Sequence, residues 1–171
     1  MRTGQNTSLL YICLLICQIA ICNFAHLGPY VMLSILPAMI MCVPLSVGTT
    51  GCMLIAFASG LSVDWLSEGL LGLNTAAILP VALARKTVIK LFMGEDLISR
   101  GDNFSYRKNG FAKISTAHTV CLIVFLSIYI ILDGAGTRPV SFCLTKGIIS
   151  FVCNFFLAIL VTNILSPDDR K

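Results

Sequence analysis

The sequence predicts an all-α integral membrane protein, a compact bundle of about six transmembrane helices, and three observations carry that prediction. In 171 residues, 57% are apolar and only 12% are charged, with a mean hydropathy of +0.90. A soluble domain carries about 25% charged residues, so half the usual solvating surface is missing. Residues 3–63 contain no Asp, Glu, Lys or Arg, a stretch no water-exposed fold leaves bare. The charges that exist are clustered, with seven of the twelve basic residues in 85–113. A single polytopic membrane domain over 1–171 accounts for all three.

A membrane helix needs about 20 mostly apolar residues at about 1.5 Å per residue. Six stretches qualify: about 8–23, 30–46, 48–66, 69–90, 115–132 and 144–165. Helix-breaking residues separate them at Gly28-Pro29, from Pro44 to Gly48, and from Asp133 to Pro139. The turn between the third and fourth is very short. The first begins Met1-Arg2 and then runs apolar, as a signal peptide does, but no small-x-small cleavage site follows. It is read as an uncleaved helix. Lys and Arg mark the cytoplasmic loops, so the basic loop 91–114 is expected inside. Six crossings then put both termini in the cytoplasm, and the loops holding Asp64, Glu68, Asp133 and Arg138 outside.

Membrane helices meet through small residues and through polar side chains that find partners. Four stripes at spacing four have that character. They are Gly48, Cys52, Ala56, Gly60 and Asp64; Gly72, Ala76, Pro80 and Ala84; Ser150, Asn154, Ala158 and Thr162; and Gln18, Cys22 and His26. Each is expected to face the interior of the bundle. Asp64 stands out because an ionisable group facing lipid costs several kcal/mol. With Glu68 it can share one helix face. The chemistry allows a proton or cation site, a fixed contact to another membrane protein, or an interfacial acid beside Trp65.

Nothing points to catalysis or to a metal. The eight cysteines form no C-x-x-C pair and lie mostly in apolar segments, where a free thiol behaves as a small hydrophobe. His26 and His118 stand apart from each other and from metal-type ligands, and are read as satisfied or interfacial. No P-loop, G-x-S-x-G or H-E-x-x-H is present. The polar run 102–110, DNFSYRKNG, sits in the basic loop, where it can meet anionic headgroups or a cytoplasmic protein. No cofactor and no nucleic acid is expected.

The run SGLSVDWLSEGLLGLNTAAILPVALAR from Ser59 resembles the core of the bacterial rod shape-determining MreD family. There a GL-x-x-D ends one membrane helix, a Gly and small residues follow, and an Arg closes the next. Here those positions are Gly60, Leu61, Asp64, Gly72, Ala76, Ala77 and Arg85. Gln18, Asn23, His26-Leu27, Tyr30 and Pro37 resemble the family's first two helices. The chain departs in having Arg85-Lys86 where many relatives place Arg-Pro. The resemblance implies a non-enzymatic component of the cell-elongation complex for peptidoglycan synthesis, in the cytoplasmic (inner) membrane. The implied partners are a bitopic MreC-like protein, the MreB filament, and a RodA-like polymerase with its transpeptidase. It also implies that Gly60, Asp64 and Gly72 form the partner-binding or structural core and that Arg85 marks the cytoplasmic end. The family is itself similar to substrate-binding subunits of energy-coupling-factor vitamin importers, which supplies the alternative function.

Overall fold

The computed structural model describes residues 7–24, 28–68, 71–94, 110–134 and 138–165. Among them are six α-helices and no strand: α1 (Thr7–Phe24), α2 (Leu36–Met41), α3 (Thr49–Val63), α4 (Leu73–Met93), α5 (Phe111–Gly134) and α6 (Val140–Leu165). α3 runs on through one π-helical turn, Asp64–Glu68. Three helical stretches are long and apolar enough to cross a bilayer: Thr49–Ser67, Phe111–Gly134 and Val140–Leu165. α4 packs on α3 and α5, α5 packs on α6, and α2 touches all five other helices.

Large apolar side chains cover the outside as well as filling the core, and a set of polar side chains is buried among them. Leu9, Ile16, Leu54, Leu91, Ile131, Ile148 and Phe156 are exposed, while Gln18, Asp64, Asn74, Arg85, His118, Asn154 and Thr162 are buried. An apolar exterior with buried polar groups hydrogen-bonded inside the core suits a hydrocarbon solvent.

The second predicted helix, 30–46, is not one. Only Leu36–Met41 is helical, six residues long, and residues 31–35 are without helix. The prolines explain both ends. Pro37 occupies the first turn of α2, where its missing N–H and fixed φ are tolerated. Pro44, two residues past the C-cap at Cys42, prevents the helix from continuing. The stretch nevertheless runs the length of the bundle. The Tyr30 ring lies 4.8 Å from that of Phe142, and Cys42 Sγ lies 3.7 Å from Thr162 Oγ1. Phe142 to Thr162 along α6 is about 30 Å, the thickness of a bilayer core. The second predicted crossing is instead a non-helical stretch and one short helix laid against α6.

Two further boundaries shift. α5 and α6 each begin a turn earlier than hydropathy alone indicates. α4 extends to Met93, so Arg85 lies two turns before its end rather than closing it. Of the stripes, Cys52, Ala56, Gly60 and Asp64 are buried, as are Ser150, Asn154, Ala158 and Thr162. The α4 stripe is not the inward face. Ala76 is exposed, and the buried residues are Asn74, Thr75, Ala77, Ile78, Val81, Ala82, Arg85, Val88 and Ile89. Small size marked the wrong side because this helix buries its polar and branched residues.

Candidate functional site

Asp64 lies at the end of α3, fully buried. Its Oδ1 accepts from the Asn74 backbone N–H at 2.8 Å and from Asn74 Nδ2 at 3.1 Å. Its Oδ2 accepts from the backbone N–H of Gly72 (3.0 Å) and Thr75 (3.1 Å) and from Thr75 Oγ1 (2.7 Å). These donors surround the N-terminus of α4, whose N-cap is Gly72. A helix leaves its first N–H groups without intrahelical partners, and the N-cap side chain ordinarily accepts from them. Gly72 has no side chain, so the carboxylate arrives from the preceding helix. The positive end of the α4 dipole favours a negative charge there.

Two glycines make that approach geometrically possible. Gly72 has φ +101°, a left-handed conformation that only glycine adopts without cost. A Cβ on Gly60 would stand 2.8 Å from Thr75 Cα and 3.1 Å from Thr75 N, so any side chain there pushes the α4 backbone away. Gly60, Asp64 and Gly72 thus meet at one junction, together with Asn74 and Thr75. The Asp64 carboxylate already takes five hydrogen bonds, which fills the lone-pair sites available to two oxygens and leaves no room for a cation. Trp65, next in sequence, is 75% exposed, at the level where the amphipathic indole suits a headgroup interface. Asn23 at the end of α1 donates to the Leu66 carbonyl at 3.2 Å, tying a third helix to the junction. The Glu68 side chain and His26 lie outside the described residues.

Arg85 is not part of this junction. Ten residues further along α4 than Thr75, it stands about 15 Å away. It is buried, donates from Nε to the Met41 carbonyl at 3.4 Å, and donates from Nη2 to the Val43 carbonyl. Those carbonyls end α2, so the guanidinium is a C-terminal cap placed against the negative end of a helix.

The remaining polar interior serves the broken crossing. Asn154 Oδ1 accepts from the Ser34 N–H at 2.7 Å, and its Nδ2 donates to the Met32 carbonyl at 3.0 Å. Ser150 Oγ accepts from the Met32 N–H at 2.9 Å. Gln18 Oε1 accepts from the Ile35 N–H at 2.7 Å, and its Nε2 donates to the Leu33 carbonyl at 3.1 Å. Three side chains thereby take the place of a neighbouring strand, which is how non-helical backbone is tolerated at membrane depth. His118 Nε2 and Thr162 Oγ1 are 2.8 Å apart beside the same segment. All eight cysteines are free thiols, and among the described residues no group of three metal-type ligands occurs.

The α6 stripe was recognisable in sequence as polar; Ser150 and Asn154 bond backbone, whereas Thr162 meets His118 of α5. Asn74 and Thr75 were missed altogether, because they sit ten and eleven residues beyond the acid they serve, outside any local capping spacing. The polar run 102–110 lies outside the described residues apart from Gly110. No family model, no curated protein and no solved structure matches the chain.

Proposed function

We propose that the chain is a non-enzymatic, multi-pass component of the bacterial cell-elongation complex in the cytoplasmic membrane, acting by binding partner membrane proteins. The observation that carries this reading is the α3–α4 junction. The residues on which the resemblance to the MreD family rests, Gly60, Asp64 and Gly72, are the ones that build a single tight helix–helix joint. A motif that fixes the relative placement of two helices suits a scaffold whose work is to present a defined face to partners. Those partners are an MreC-like bitopic protein, a RodA-like polymerase with its transpeptidase, and, on the side of the basic loop, the MreB filament. The clustering of Lys and Arg in 85–113 supports a reading with both termini in the cytoplasm.

The test is gentle purification of the tagged chain from its native membrane, with mass spectrometry of what accompanies it. Recovery of the MreC-like protein or the polymerase and transpeptidase is the expected result. Recovery of paired ATPases with a large membrane coupling subunit instead would assign the chain to vitamin import and overturn the proposal.

A further inference from the structure

Where the last turn of α5 meets the first turns of α6, two cations share one carboxylate. Lys146 Nζ donates to Asp133 Oδ2 at 2.7 Å and stands 5.5 Å from the centroid of the Tyr129 ring. Arg138 Nη1 is 3.8 Å from the same oxygen, with its guanidinium 5.0 Å from the centroid of the Phe142 ring. The Lys146 side chain is nine-tenths buried, whereas that of Arg138 is 41% exposed. Together they line a half-open cavity of about 240 Å³, bordered also by Cys22, the Gly28–Pro29 turn, Met32 and Tyr129.

The arrangement is unbalanced in charge. Both cations border the cavity, and Asp133, their shared counter-ion, does not line it. Two positive charges against one negative leave a net positive charge facing a half-open cleft. A buried lysine inside a crossing helix is costly and is retained where it pairs or binds. Here the pairing is only half complete, since one carboxylate oxygen serves both cations. The 3.8 Å approach of Arg138 is longer than a hydrogen bond, and a planar guanidinium matches an oxyanion with two parallel bonds. Among the described residues, Asp64 has its oxygens occupied by the α4 N-terminus.

We propose that this cavity binds a phosphate-type oxyanion, held by Arg138 and Lys146. The same chemistry is offered by the headgroup of an anionic phospholipid and by free inorganic phosphate. A volume of about 240 Å³ accommodates a phosphate with its bridging waters or a small headgroup, and is below the usual range of about 300–1,000 Å³ for larger organic ligands.

The experiment uses the full chain in nanodiscs, in two arms, each with wild type and Arg138→Gln. In the first, phosphatidylcholine nanodiscs are titrated with inorganic phosphate against chloride at equal ionic strength, and the thermal unfolding midpoint is followed. In the second, equal parts of phosphatidylglycerol and phosphatidylcholine are offered, and the lipid retained on the protein is identified by native mass spectrometry. A saturable phosphate response assigns a free anion. Selective retention of phosphatidylglycerol without that response assigns a lipid headgroup. In either case Arg138→Gln, which removes one charge-assisted contact, is expected to weaken binding about tenfold. Because Arg138 is half exposed, this variant retains the fold. The paired variant Asp133→Asn with Lys146→Met removes the buried charges together and is expected to abolish the response. No response in either arm, or an equal response in wild type and Arg138→Gln, overturns the proposal.

Discussion

The α3–α4 junction and the broken second crossing solve one problem with opposite chemistry. At the junction a single ionised side chain, Asp64, receives five hydrogen bonds, all from donors. Along residues 32–35, three neutral side chains serve five backbone groups, three N–H and two C=O. A helix N-terminus presents only donors, so an acceptor-only carboxylate fits it and the dipole assists. Extended backbone alternates donor and acceptor, so an amide that both gives and takes fits it, and a charge would leave half the groups unmet. The kind of backbone opening selects the kind of side chain that closes it.

Exchanging the two chemistries should therefore fail in both places, and unequally. Asp64→Asn turns one acceptor into a donor against at least two buried donors and removes the charge. It should lower stability by about 3 kcal/mol, read from reversible unfolding in mixed micelles. A loss below about 1 kcal/mol would mean the junction does not depend on the carboxylate. Asn154→Asp keeps the bond from Ser34 but sets a charge against the Met32 carbonyl. A loss of about 2 kcal/mol is expected by the same measurement, and a neutral outcome would erase the distinction drawn here. The smallest effect belongs to Ser150→Ala, which deprives one N–H, that of Met32, of its acceptor. About 1 kcal/mol is expected, together with faster hydrogen exchange at Met32, since only that amide loses its partner.

Much of this was legible in the sequence, for reasons that also mark where legibility stops. The runs that became α1, α3, α5 and α6 are long and apolar, and hydropathy reports length and polarity directly. It cannot separate helix from extended backbone inside the same bundle. Residues 31–35, VMLSI, are as apolar as any helix, and only the spacing of Pro29, Pro37 and Pro44 hinted otherwise. Gly60, Asp64 and Gly72 were visible as a pattern. The reason they belong together was not, because it depends on Thr75 and Asn74 folding back across the turn. Arg85 drew attention as the end of a helix. Its actual neighbours, the carbonyls of Met41 and Val43, lie more than forty residues earlier in the chain and leave no mark on the local sequence.

The broken crossing also has a consequence in time. The N–H groups of Met32 and Ser34 bond to Ser150 and Asn154, which are separated from them by 118 and 120 residues. A ribosome adding about 5–20 residues per second finishes residue 34 on the order of ten seconds before residue 154 exists. During that interval the extended stretch has no bonding partner in α6, and hydrocarbon offers none. Until then only Gln18 of α1 serves the stretch, through the Ile35 N–H and the Leu33 carbonyl, and the remaining bonds form with the arrival of α6. An early segment of the chain is thus among the last to complete its hydrogen bonds.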